Sequence, residues 1–218
     1  MIITAHKRKK RESLLKQYPG AILADVTSKA EDGLVRLSPF YPHGGIPIPF
    51  TEPVQTAASV EGIWQGLKVF EHAGIDRAVL QNTSMQGIKR SVRRYGQPLG
   101  HQRGLDSEEL LDYMTARREI YLPCYRWMLE HKAMPIIERL RAASQAGKTI
   151  ILLDYNISED VDDPSKPLSH AYLVKAYAEG LYPYEDALGL ERSQSPDSSL
   201  WPTQAEQANL FDDNLFKQ

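Results

Sequence analysis

Three side chains in the stretch SVEGIWQGLKVF, residues 59–70, have the types and spacing to do chemistry. Glu61, Gln65 and Lys68 stand at i, i+4 and i+7, so on a helix an acid, an amide and an amine would share one stripe. A carboxylate so placed serves as general acid or base, and an amine as nucleophile or anion partner. Val60, Ile63, Trp64, Leu67 and Phe70 form a second, apolar stripe that one buried face would absorb. Gly62 and Gly66 each cost such a helix about 1 kcal/mol relative to alanine. What they offer in return is a bare surface that a ligand or another backbone can approach. The plain alternative is a solvated helix side. Against it stands the preceding stretch SPFYPHGG, whose Ser38, Phe40, Tyr41 and His43 would fold over a bound ring.

Other chemistry-bearing residues are scattered. Asp154 and Asn156 directly follow the apolar run of KTIILLDYN, where ligands of α/β proteins gather beyond strand ends. The neighbouring acids Glu159, Asp160, Asp162 and Asp163 read as a hydrated loop. Lys89, Arg90, Arg93 and Arg94 recur along one helix edge that would hold phosphate, with a solvated face as the alternative. The GKT at 147–149 is no phosphate loop, because position 142 is alanine and the tripeptide precedes a strand. The six histidines are dispersed and the single cysteine cannot build a thiolate site, so neither metal nor other cofactor is expected. Near the end, Gln207-Ala208-Asn209-Leu210-Phe211 has the Q-x-x-L-F form of peptides that dock into bacterial sliding clamps.

The elements that must position these groups read as follows. Residues 4–17 form a short basic helix, AILADVTS a strand, and LVRLSPF a second strand leading into the long Pro/Gly loop YPHGGIPIPFTEP. Ser59 is placed to cap the Glu61 helix. A basic helical portion lies around 85–95, a long helix over 107–131 breaks near Pro123, and another helix covers 134–145. KTIILLDYN is a strand buried on both faces, and PLSHAYLVKAYAEGLYP a last helix. The expectation is an α+β, helix-rich single domain over 1–190, comprising an N-terminal extension and a small central sheet. A flexible tail over 191–218 follows.

With 42% hydrophobic residues over 218 positions, the chain can bury a sizeable core. A net charge of −2 leaves polyanion binding to a local patch. No apolar run approaches the ~20 residues of a membrane span, and the basic N-terminus lacks a signal peptide's apolar region. One cysteine suits a reducing compartment, so a cytoplasmic protein is expected.

The helix motif resembles that of the NADAR (YbiA-like) domains, S-E-x-x-[FW]-Q-x-x-K-F preceded by an aromatic F-S-[NP]-F. Here LSPFYP matches the aromatic stretch, and Ser59, Glu61, Trp64, Gln65, Lys68 and Phe70 match the helix in order. One residue is inserted after Ser59 and another before Phe70. MQGIKRSVRRYG and the following ARREIYLPCYRWMLEHKAMPIIERLRAA are similar to the family's later segments, so the resemblance covers roughly 34–165. The family's terminal D-x-x-W-G is absent, DDPSKPLSHAYLV standing in its place. The resemblance implies a hydrolase of NAD metabolism: an N-glycosidase that cleaves the bond between ribose and a base. Its substrate would be an ADP-ribosyl or ribosyl-nucleobase compound, with ADP-ribosylated guanine in DNA one candidate. It implies Glu61 as acid/base, Lys68 as the group that attacks the anomeric carbon, and Trp64 and Phe40 as ring contacts. Lys89 and Arg90 would hold phosphate. Two alternatives stay open: glycosyl transfer from a nucleotide sugar to a modified DNA base, and non-catalytic binding of an NAD-derived nucleotide.

Overall fold

A computed structural model describes residues 1–184. The clamp-like segment at 207–211 and the tail expected over 191–218 lie outside these residues. Along the chain run β1 (Ile2–His6), α1 (Arg11–Gln17), β2 (Ile22–Asp25) and a 3-10 turn (Gly33–Leu37). Then come β3 (Ile46–Pro47), β4 (Thr56–Ala57), α2 (Val60–Gly66), β5 (Lys68–Phe70), α3 (Arg77–Leu80) and α4 (Val92–Tyr95). β6 (Pro98–Gln102), β7 (Leu110–Leu111), α5 (Tyr113–Ala116), a π-helical segment (Arg117–Tyr121) and α6 (Leu122–Lys132) follow. α7 (Met134–Gln145), β8 (Ile150–Asp154) and α8 (His170–Ala178) complete the described chain. The α+β class read from the sequence is the class found, with three small sheets among the described residues. No helix among these residues is long and apolar enough to cross a membrane.

The chain forms two compact units, the second inserted into the first. Of the described residues, the first comprises 1–38, 133–161 and 165–184. Its sheet is parallel, in the order β1-β8-β2, and β8 is its central strand. One sheet face, carrying Ala5, Leu23 and Ile151, packs against Leu14 of α1. α7 and α8 also pack on β8, so Ile150, Ile151 and Leu152 are all fully buried and the strand reads as a continuous apolar run. The segment expected as a helix from residue 4 is instead strand β1 up to His6, with α1 confined to Arg11–Gln17. The β-branched pair Ile2-Ile3 and the ladder to β8 outweigh the helical propensity of the basic run. The expected strand LVRLSPF is mostly the 3-10 turn, whose first turn is held by Asp32 accepting a hydrogen bond from Leu34 N–H.

The second unit comprises residues 39–132 and 162–164. Ser59 caps α2 as expected, its Oγ accepting from Gly62 N–H at 3.0 Å. The helix ends two residues short of Lys68, which opens β5 of an antiparallel β5-β6-β7 sheet. The basic helical portion shrinks to the single turn α4, and Leu110–Leu111 is a strand rather than the start of a long helix. From Tyr113 to Lys132 the chain is continuously helical, with a π-helical segment directly ahead of Pro123. Proline's missing N–H removes one rung of the ordinary ladder, and the widened turn beside it is where the break expected near Pro123 is taken up.

Candidate functional site

The second unit brings together most of the residues singled out in the sequence. α2 presents Glu61, Trp64 and Gln65. Its first turn is tied to the aromatic loop, because Glu61 N–H donates to the Pro39 carbonyl at 2.8 Å and Gly44 N–H to that of Ala58 at 2.9 Å. Phe40, Tyr41 and His43 are thereby anchored beside the helix, with the Tyr41 and His43 rings 4.7 Å apart. Lys89 is exposed, its Nζ 5.5 Å from the centre of the Phe40 ring.

Glu61 is only 8% exposed, and Gln65 Nε2 donates to its Oε1 at 2.9 Å. One helical turn thus fixes one carboxylate oxygen. Lys68 reaches the same place from β5: its Nζ sits 5.6 Å from the centre of the Trp64 ring. Burial lowers the pKa of Lys68 below its ordinary value, the nearby Glu61 carboxylate pulls it back up, and Arg90 and Lys89 add to the lowering. A partly desolvated amine that shares a field with a buried carboxylate can lose its proton more easily than a surface lysine.

Gly62 and Gly66 answer to a backbone rather than to a ligand. A Cβ on Gly66 would come within 2.6 Å of Leu80 Cδ2 and 3.1 Å of the Asp76 carbonyl oxygen. One on Gly62 would meet the Val79 carbonyl oxygen at 3.1 Å. The two glycines let α3 lie directly on α2, which explains helix-breaking residues in a helix that must be placed accurately.

Arg90 is buried, and its guanidinium faces inward. It donates to the carbonyls of Gln65 at 3.4 Å, Lys68 at 2.5 Å and Gly74 at 2.7 Å, and it lies over the Phe70 and Tyr95 rings. Its visible work is to clamp the α2–β5 turn that carries Lys68, leaving Lys89 as the exposed cation of the pair.

Three residues of the site escaped the sequence reading. Trp64 meets His101 with ring centres 3.8 Å apart, and the Tyr113 and Tyr121 rings edge-on at 5.7 and 5.6 Å. The tyrosines come from α5 and the π-helical segment, and no local pattern marks them. His101 could have been found had PLGHQ been paired with LKVF, for it stands directly across from Lys68. It is 2% exposed, and neither ring nitrogen meets a hydrogen-bond partner. Burial, reinforced by the charge on Lys68 and opposed only by a weak backbone contact at Trp64 that falls short of hydrogen-bond geometry, pushes its pKa down to about 3, so the ring is neutral at physiological pH.

Ser38, Asp154 and Asn156 belong to the first unit. Ser38 is buried and Asn156 exposed. Asp154 is engaged at the start of α8, accepting from Ser169 Oγ at 2.9 Å and Tyr155 N–H at 2.7 Å, and it pairs with His170 Nδ1 at 3.1 Å. Burial opposes its charge, but the hydrogen bonds from His170, Ser169 and Tyr155 prevail and lower its pKa.

Among the described residues no group of three or more His, Cys, Asp or Glu side chains is arranged to hold a metal ion. Cys124 is buried, which raises its thiol pKa far above the ordinary range and leaves it unreactive. No curated protein matches this chain. Residues 6–174 match a family model described as "Family of unknown function (DUF6939)", and the chain belongs to that family.

Proposed function

We propose that the Glu61/Lys68 face of the second unit hydrolyses an N-glycosidic bond between ribose and a base, in the manner of a NADAR-like N-glycosidase. The observation that carries this reading is the amine of Lys68 lying over Trp64, partly desolvated and in the field of the buried Glu61 carboxylate. Departure of a base from ribose builds positive charge on the sugar and requires a proton on the leaving nitrogen. The two side chains can supply both needs. Lys68 passes an ammonium proton to Glu61 and attacks the anomeric carbon as a free amine. The carbon–base bond breaks, and Glu61 delivers the proton to the leaving nitrogen. The sugar ring opens to an imine on Lys68, which water hydrolyses to free sugar and the restored amine. Overall one water is consumed, and a protonated base and a ribose hydroxyl are released. The aromatic loop with Phe40 supplies ring contacts, and exposed Lys89 beside it supports an anionic group such as phosphate.

The test is to incubate the protein with guanine-ADP-ribosylated DNA, NAD and phosphorylated ribosylamines, and to follow released base and ribose by mass spectrometry. Release from one class is expected, reduced about 10²-fold or more by Glu61→Gln. No release from any class would overturn the reading, as would transfer of the sugar to an added base acceptor in place of water.

A further inference from the structure

We propose that His101 is a positioning residue for Lys68: with Trp64 it forms the flat wall that keeps water from the lysine side chain beside Glu61. The proposal rests on the N-glycosidase reading for its purpose, but not for its test. In the antiparallel sheet Lys68 of β5 is the direct partner of His101 of β6, which in turn is the partner of Leu111 of β7. The three side chains therefore line one face in a row, close enough for cross-strand packing. Trp64 approaches that row from α2. Its ring lies 3.8 Å from that of His101, centre to centre and tilted by 31°, and the Lys68 ammonium lies over the same indole.

Histidine is an expensive way to fill this position, because both its nitrogens are buried with no hydrogen-bond partner. A second cation opposite Lys68 would repel the ammonium, and a small side chain would admit water. The buried, neutral ring does neither. The charged groups acting on Lys68 are Glu61 from α2 and Lys89 and Arg90 from the segment before α4; on His101 it is Lys68 itself. Changing His101 therefore alters the solvation of Lys68 while leaving its charged neighbours in place.

The test is competitive acetylation of the whole protein with trace acetic anhydride across pH 6–11, the Lys68 peptide being quantified by mass spectrometry without any substrate. The wild-type midpoint is expected below the ordinary lysine value of 10.5. His101→Phe, which keeps the ring and drops the nitrogens, is expected to leave the midpoint where it is. His101→Ala is expected to move it up towards 10.5, with several-fold less labelling of Lys68 at pH 8. If circular dichroism shows that His101→Ala is unfolded, His101→Thr takes its place, since threonine suits a strand and still lacks the ring. A folded ring-less variant with an unmoved midpoint would overturn the proposal, as would a shift in His101→Phe equal to that of the ring-less variant. Because no substrate is present, either outcome stands apart from whether the protein cleaves glycosidic bonds.

Discussion

At the scale of single residues, two buried groups set the behaviour of the site. His101 has a neutral ring whose nitrogens are unpaired, and an unsatisfied buried polar atom costs a protein on the order of 1–3 kcal/mol. His101→Phe should therefore stabilise the fold by about 1 kcal/mol, read as a rise of roughly 2–4 °C in melting temperature for a chain of this length. A fall would mean that the nitrogens do find partners. Glu61 holds the opposite balance, since its carboxylate raises the pKa of Lys68 against burial. Replacing it by the neutral, near-isosteric glutamine removes that support. In Glu61→Gln the labelling midpoint of Lys68 should move to lower pH, and the amine should be a faster nucleophile near neutrality even though the proton donor for the leaving base is gone. An unchanged midpoint would show that the two groups are not electrostatically linked.

At the scale of elements, the site depends on how closely α3 lies on α2. Gly66→Ala forces a methyl into Leu80 and the Asp76 carbonyl, and overpacking of this kind costs roughly 1–3 kcal/mol. Urea unfolding should show that loss, whereas Ala142→Gly on the exposed part of α7 should cost only about 1 kcal/mol through helix propensity. Much of this element was legible beforehand. The apolar period, the Ser59 cap and the two glycines all mark a helix held against something, and α2 is that helix. What could not be read was its end. Periodicity continues through Lys68 and Phe70, but the hydrogen bonds of the β5–β6 ladder, formed with residues some thirty positions away, draw Lys68 onto a strand. The same long-range pairing made strand β1 of a segment whose local composition favours a helix. α7 and β8 came through intact, because one shows a clear helical stripe and the other lies in the middle of its sheet. The candidate site was legible to the extent that one local stretch carries it. His101, Tyr113 and Tyr121 were not, since only the fold places them around Trp64.

At the scale of the whole molecule, the first unit supplies a pH limit on stability. Asp154 is buried and paired with His170, whose Nε2 in turn lies 2.7 Å from the Val26 carbonyl, so one imidazole links the ends of β8 and β2. The pKa of Asp154 is lowered in the folded state, so the contribution of this carboxylate is fully present above the unfolded value near 3.8 and is lost as pH falls through the lower folded value. Asp154→Asn should cost roughly 3 kcal/mol at pH 7 and flatten the part of the acid-unfolding curve below about pH 4. An unaltered acid limb would assign that dependence to other carboxylates. The central claim concerns what the second unit does with Glu61 and Lys68. It is tested most directly by adding cyanoborohydride during turnover of whichever ribosyl substrate the protein cleaves, and locating the reduced adduct by mass spectrometry. The account predicts a sugar adduct on the peptide carrying Lys68 and none in Lys68→Ala, with cleavage lost in that variant. Full cleavage by both Glu61→Gln and Lys68→Ala, with no adduct on Lys68 in the wild type, would contradict it.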